Sequence, residues 1–313
     1  MTRSRVLTGW TALLLAACAR EPRAGAALPD APLEARELQV HAQPDLTEGS
    51  AAVASTAQPG VIFTINDSGH PAELFALDTT GRDRGTWRVL DATNRDWEAL
   101  APVPCASADS AAAPPRCLII ADTGDNDEWR DHVTLYRVPE PAALAPGGRD
   151  TVRAERLELT YEGGARDVEA VYAGPQGNLF LITKRRQRAP DGATRPAMVL
   201  EVDAAAWAAG RTTARIVDSL PLLPGSARGR LITDAARSPD GARVAVRTYF
   251  EVYVFAADSA TGAIRTAVPP ARCDISGIAH GSGEGITWLA DGRLLLTEEG
   301  RDAPLQVVRC PQP

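Results

Sequence analysis

Residues 166–184 read Arg166-Asp167-Val168-Glu169-Ala170-Val171-Tyr172-Ala173-Gly174-Pro175-Gln176-Gly177-Asn178-Leu179-Phe180-Leu181-Ile182-Thr183-Lys184. An acidic opening leads into an apolar run, Gly177 marks a turn, and a second apolar run ends on a polar residue. Gly accepts positive φ where two strands meet in a tight turn, so this layout predicts a β-hairpin. The layout returns along the chain. Pro59-Gly60 precedes Val61-Ile62-Phe63, Asp240-Gly241 precedes Val244-Ala245-Val246, and Asp291-Gly292 precedes Leu294-Leu295-Leu296. Seven residues after the Gly stands Asp67, Lys184, Thr248 or Glu299; seven or eight before three of them stands Glu169, Asp234 or Glu284. The acidic opening itself recurs as Arg95-Asp96-Trp97-Glu98 and Gly283-Glu284-Gly285-Ile286.

Further strands follow in phase. Third strands are predicted at Glu73 to Asp78, Val133 to Val138, Met198 to Asp203, Glu251 to Phe255 and Leu305 to Arg309. Fourth strands are predicted at Thr86 to Leu90, Arg156 to Tyr161, Thr213 to Leu220 and Ala263 to Val268. The last unit lacks a fourth strand, and Glu37-Leu38-Gln39-Val40-His41 can fill the gap and close a ring without leaving a sheet edge open. Repeating four-stranded units without comparable helical periodicity predict an all-β fold, a β-propeller of five blades opening near Glu48, Glu98, Glu169, Asp234 and Glu284, or of six if the long loops around 106–115 and 140–151 hide a further blade. A two-sheet sandwich would not explain why turns and polar positions recur together.

A propeller gathers the entry of each innermost strand and the loop after each second strand on one face. That brings together Glu48, Asp96, Glu98, Asp167, Glu169, Asp234 and Glu284 with the loops carrying Asp67, Asp122, Asp125, Asn126, Lys184, Arg247 and Glu299. Carboxylates around one narrow mouth repel, so they must be paired with Arg, protonated or bound to a cation. Oxygen donors without His or Cys favour a hard ion such as calcium. The expected metal ligands are Glu48, Glu98, Glu169, Asp234 and Glu284; the expected ligand-binding residues are Asp67, Asp122, Asp125, Asn126, Asp167 and Glu299. The competing reading is structural, with Arg95, Arg166, Arg237 and Arg247 neutralising the acids. Lys184 is the single lysine beside 32 arginines and stands in the basic run Lys184-Arg185-Arg186 with Arg188. If the site is catalytic, Glu169, Lys184 and Arg247 are the residues assigned to it. Ser68-Gly69-His70 and His280-Gly281-Ser282 lack the strand-turn-helix setting of a nucleophile elbow. Trp97, Trp129, Trp288 and Tyr249 are candidates either for a ligand floor or for packing between blades.

The N-terminus has the layout of an export signal: Arg3 and Arg5, an apolar stretch from Val6 to Ala17, then Cys18. Leu15-Ala16-Ala17-Cys18 resembles the lipobox of bacterial lipoproteins, which implies cleavage after residue 17 and a lipid on Cys18. The expected organisation is a signal peptide over 1–17, a flexible tether over 18–35 and the propeller over 36–313. Removing residues 1–17 takes away two Arg and no acid, moving the formal charge from −7 to −9. An acidic chain with scattered Arg has no nucleic-acid footprint. Four further cysteines in an exported protein favour two disulfides over metal thiolates. Cys105 and Cys117 flank an Ala/Ser/Pro-rich excursion and Cys273 and Cys310 bracket the last unit, although four cysteines permit three pairings.

Asn66-Asp67-Ser68-Gly69, Asp96-Trp97-Glu98, Asp122-Thr123-Gly124-Asp125-Asn126, Asp167-Val168-Glu169-Ala170 and Gly283-Glu284-Gly285-Ile286 together resemble motifs of a largely uncharacterised group of secreted bacterial β-propeller proteins, over residues 37–310. More distantly the chain resembles propeller phytases and gluconolactonase-like proteins, which are calcium-assisted hydrolases. Their ligand sets do not match here residue by residue, so no role is carried over.

Two functions follow. The favoured one is a non-catalytic, lipid-anchored propeller of the cell envelope, outer membrane or cell surface, monomeric, binding a small molecule, cation or partner protein at its acidic mouth. The alternative is a calcium-dependent hydrolase of a phosphate ester or lactone.

Overall fold

A computed structural model describes residues 34–40, 43–105, 116–184, 196–222, 231–280 and 282–313. The signal peptide, Cys18, the tether up to residue 33, His41 and Arg185, Arg186 and Arg188 lie outside the described residues. The fold is an all-β propeller. Strand β1 (Glu34–Val40) pairs antiparallel with the last strand, β21 (Pro304–Arg309), which places the N-terminal strand where the gap in the repeat requires it.

Between these ends the strands form consecutive antiparallel groups of four. The first holds β2 (Gly49–Ala54), β3 (Val61–Asn66), β4 (Glu73–Asp78) and β5 (Asp83–Leu90). The second holds β6 (Trp97–Pro104), β7 (Arg116–Asp122), β8 (Val133–Pro139) and β10 (Glu155–Tyr161); β9 (Arg149–Arg153) crosses over to pair parallel with β5. The third holds β11 (Val168–Ala173), β12 (Leu179–Thr183), β13 (Met198–Val202) and β14 (Arg211–Ser219), with the short α1 (Ala206–Ala209) before the last of them. The fourth holds β15 (Ile232–Arg237), β16 (Arg243–Thr248), β17 (Glu251–Ala256) and β18 (Ala271–Asp274). The fifth holds β19 (Gly283–Trp288), β20 (Leu294–Glu298), β21 and β1.

The first strand of each group is innermost. β2 packs on β6, β6 on β11, β11 on β15, β15 on β19, and β19 back on β2, so the ring closes. β11 and β19 are buried at every position, as strands covered on both faces must be, whereas the outer β10 alternates and the outer β14 is largely exposed. The turn residues Gly60, Gly177, Gly241 and Gly292 adopt φ between 71° and 85°, as the hairpin reading requires. Hydroxyls stitch neighbouring groups at their inner strands: Ser50 Oγ donates to Trp97 O at 2.8 Å, Thr123 Oγ1 to Val168 O at 2.8 Å and Thr233 Oγ1 to Glu284 O at 3.1 Å.

The structure corrects three details. The fourth strand of the fourth group is Ala271–Asp274; the segment 263–268 contributes only an isolated bridge, Ala257 to Ile264. Strand β9 and the parallel pairing of β10 with β14, which joins the second and third groups into one sheet, were not expected. Cys105 bridges Cys117 across the β6–β7 connection, and Cys273 of β18 bridges Cys310 just beyond β21, tying the fourth group to the fifth beside the ring closure. Among the described residues no helix is long and apolar enough to cross a membrane.

Candidate functional site

The ladder of every inner strand slips near its first residues. The shifts fall between Gly49 and Ala51, Trp97 and Ala99, Val168 and Ala170, Ile232 and Asp234, and Gly283 and Ile286. A bulge of this kind leaves a residue out of register and re-aims its side chain. The out-of-register residues are Ser50, Glu98, Glu169, Thr233 and Glu284, the last together with Gly285. Three of five are glutamates, and all three are at least nine-tenths buried. This repeated irregularity gathers acids from distant chain segments at one end of the axis.

The residue following the second strand of each group adds Asp67, Thr123, Lys184, Tyr249 and Glu299. Lys184 Nζ lies 2.6 Å from Glu169 Oε1, with both side chains buried. Glu284 accepts a hydrogen bond from the Tyr249 hydroxyl, and its Oε2 is buried without a partner. Toward solvent, one carboxylate oxygen each from Asp67, Asp96 and Glu98 lie within 4.8 Å of one another. Among the described residues no Arg or Lys stands within ion-pair distance of these three acids.

Their placement is built by other side chains. Asn66 Oδ1 accepts from the amides of Thr47 and Glu48, and Asn94 Nδ2 donates to the carbonyls of Asn66 and Asp67, fixing the Asp67 loop beside Asp96. Asp122 accepts from the amides of Arg95 and Asp96 and pairs with Arg130 Nη2 at 2.9 Å. Asp125 accepts from the amides of Trp129 and Arg130, and its own amide donates to Asp167 Oδ1 at 3.0 Å. Gly124 closes the third side: a Cβ there would sit 2.4 Å from both Asp96 Oδ2 and Glu98 Oε1, so a side chain at this position would push the two carboxylates out of their present places.

Burial and mutual repulsion govern the charge. Burial, then the negative charge and hydrogen bond of Asp67, push the Asp96 carboxyl up to about 7. Burial, followed by Glu169, Asp67 and Asp96, holds Glu98 well above the usual carboxylate range. Burial lifts Glu284 to about 8 despite the opposing pull of Lys184. Burial disfavours the Lys184 ammonium, but Glu169 and Glu98 outweigh it and keep it protonated above the ordinary lysine range. Burial also pushes Glu169 up and Lys184 pulls it back; at 2.6 Å the ion pair holds, and the excess protonation falls on Glu98 and Glu284. The mouth therefore carries more carboxyl groups than it has positive partners. Protons or a bound cation must make up the difference.

The expected residues divide into two sets. Asp67, Glu98, Asp167, Glu169, Lys184, Glu284 and Glu299 come together, as does Asp96. Six others stand apart. Asp122 and Asp125 spend their oxygens on the Arg130 guanidinium and on the amides of Arg95, Asp96, Trp129 and Arg130. Glu48 is exposed and pairs with His70 at 2.9 Å. Asp234 is fully buried, but its oxygens accept from the amides of Ala235 and Ile286 at 2.8 Å each, because the bulge puts Thr233, one residue earlier, at the shared step. Asn126 is exposed, and Arg247 turns its guanidinium into the structure: Nη1 donates to Gly285 O and Thr297 O at 2.6 Å each, and Nη2 pairs with Glu298 at 2.9 Å. Tyr249 occupies the step that residue counting gives to Thr248, whose hydroxyl is held by the local turn to Glu251. Arg95 stacks on Trp129, and Arg166 and Arg237 donate to backbone carbonyls, so these three do not neutralise the acids. Trp97 and Trp288 are buried, whereas Trp129 is 65% exposed. Asn66, Thr123 and Gly124 stand inside the quoted motifs without a role of their own, Ser50 and Asn94 carry no sequence signal, and Thr233 has one: it stands eight residues before Gly241, as Glu169 and Glu284 do before Gly177 and Gly292.

No protein-family model matches the chain, and no curated protein sequence matches it. Solved structures do. A gluconolactonase from Xanthomonas campestris is 15% identical over 91% of this chain and 99% of its own, with a TM-score of 0.42. A calcium structure of a Trichoderma reesei carbohydrate-active enzyme of family AA12 is 12% identical over 89% and 96%, TM-score 0.47. The PQQ domain of a Coprinopsis cinerea pyranose dehydrogenase is 12% identical over 91% and 99%, TM-score 0.46. At such identities the reading of the site rests on this chain's own side chains.

Proposed function

We propose that this protein is an extracytoplasmic, five-bladed β-propeller that binds a hard divalent cation, calcium first, at its acidic mouth. One observation carries the reading: oxygens of Asp67, Asp96 and Glu98 approach within 4.8 Å of one another, with no Arg or Lys within ion-pair distance among the described residues. Two buried carboxylate oxygens without partners, Asp167 Oδ2 and Glu284 Oε2, support it independently. The donors are all oxygen, which suits calcium over zinc or copper. Asp67, Asp96 and Glu98 would hold the ion. Bound there, it would supply positive charge to an oxygen-rich ligand entering from solvent. The two disulfides fit an oxidising compartment, and the lipobox at Cys18 supports tethering to the cell envelope by a lipid.

A hydrolytic reading is favoured by Glu284. Its carboxyl is held near neutral pH, Tyr249 fixes one oxygen and the other is free, so it can take or give a proton at Oε2. Lys184 would balance negative charge on a bound ester or lactone, while Arg247, its Nη groups engaged, keeps the β19 bulge in place.

Thermal melts of the purified protein with calcium and with chelator test the first reading. An ion at one hundred times its Kd adds about 2.7 kcal/mol, or about 5 °C for a domain of this size. Identical transitions remove the metal. Turnover of generic phosphatase or lactonase substrates that is equal in Glu169→Gln, Glu284→Gln and the parent removes the hydrolytic reading.

A further inference from the structure

The five inner strands end around a different environment, at the far end of the axis from the acids. A cavity of about 190 Å³ there is lined by Ala54, Pro102, Ala173, Arg237 and Trp288, among others, one from each inner strand. It shares Ala54, Thr56, Pro239 and Trp288 with a larger cavity of about 670 Å³ in the seam between the first and last groups, where β1 closes the ring. That volume lies inside the range of ligand pockets, roughly 300–1,000 Å³.

The wall of the larger cavity is apolar and fixed. Val61, Ile62, Leu289 and Val307 line it, each less than one-tenth exposed. Trp288 is held by its Nε1 donating to Ala236 O at 3.0 Å and by Arg243 at 5.2 Å from its ring. The rim carries the charge. Arg293 is paired with Asp291 at 2.6 Å, and Arg36 of β1 is exposed, with no ion pair among the described residues. The lining is thus positive by one in a chain whose net charge is −7.

We propose that this seam cavity binds an apolar monoanion, a medium-chain aliphatic carboxylate, with its tail on the Val61–Leu289 wall and its carboxylate at Arg36. Removal of apolar surface from water supplies most of the affinity. Arg36 supplies the preference for a negative end, since guanidinium matches carboxylate. The site is separate from the acidic mouth and does not depend on a cation.

The test uses fluorescence of 1-anilinonaphthalene-8-sulfonate, itself an apolar anion, bound to the full-length protein. Dodecanoate, dodecan-1-ol and dodecyltrimethylammonium compete below their micelle concentrations. Dodecanoate should displace the dye about fivefold better than the alcohol, the gain from one exposed ion pair at its upper end, and better still than the cation. Arg36→Gln should erase the difference between acid and alcohol. Thr56→Trp and Ala290→Trp, both at exposed lining positions, should abolish displaceable binding with an unchanged near-ultraviolet circular dichroism spectrum; Glu98→Gln at the acidic mouth should bind as the parent does. Absence of displaceable dye, equal competition by acid and cation, or undiminished binding in a folded Trp variant would overturn the proposal.

Discussion

Replacing Lys184 by Met removes the positive charge that the buried acids share while nearly keeping the side-chain volume. Lys184 Nζ is 2.6 Å from Glu169 Oε1, and the two side chains are 7% and 1% exposed, so water screens little of the interaction. Taking away one partner of such a pair leaves a charge buried without compensation, at a cost of about 3–5 kcal/mol. For a domain of this size each kcal/mol is worth about 2 °C, so the melting temperature should fall by about 6–10 °C. Lys184→Met combined with Glu169→Gln should recover most of that loss, since neither group then stands charged and alone. The double-mutant cycle is read from urea and thermal melts at pH 7 in chelator. Calcium should rescue the single variant more than the parent, because the lost ammonium leaves a more negative mouth. A Lys184→Met protein within about 1 kcal/mol of the parent, or a cycle with no coupling, would refute the view that one lysine holds the buried acids together.

Gly124→Ala should keep the fold yet lose the calcium-dependent shift in melting temperature, because its Cβ would occupy space 2.4 Å from oxygens of Asp96 and Glu98. Without calcium, stability should fall as pH rises. Folded Asp96 and Glu284 titrate at about 7 and about 8, above the values 3.8 and 4.5 of the free side chains, so the native state binds more protons over that interval. Each group contributes a slope of up to about 1.4 kcal/mol per pH unit between its unfolded and folded values, flattening above pH 8; denaturation in a buffer series with chelator measures it. Removing the Cys273–Cys310 bridge, which closes a separation of 37 residues, should cost about 4 kcal/mol, against about 3 for Cys105–Cys117 with 12, in melts of the paired Cys→Ala variants.

The glycine-centred turns and paired apolar runs were legible in the sequence because positive φ and strand burial are local demands, met within each hairpin. So were Glu169 and Glu284, each eight residues before its turn glycine, and Glu98, which repeats the Arg-Asp-x-Glu opening of Arg166-Asp167-Val168-Glu169. The spacing misled at Asp234, where the bulge moves the inward step to Thr233 and leaves the aspartate to bind backbone amides. The trace is one residue of spacing: Thr233, not Asp234, stands eight before its turn glycine, the offset of Glu169 and Glu284, while strand period two survives on either side of the bulge. Asp122 and Asp125 look like ligands by composition, yet their oxygens hold the amides that shape the loop; which of two oxygen-rich residues faces solvent is decided by the turn, not by residue type. Strand β9 and segment 263–268 were misread because edge strands lack the apolar pattern that burial imposes: β9 is exposed at nearly every position.

The most direct test of the acidic mouth is calorimetric titration of the metal-free protein with calcium at pH 7 in two buffers of different ionisation enthalpy. One saturable site, with protons released as Asp96 and Glu98 give up theirs, and its loss in Asp96→Asn and Glu98→Gln, is the expected result. No binding heat in either buffer, or binding unchanged in both variants, would contradict a cation site built from Asp67, Asp96 and Glu98.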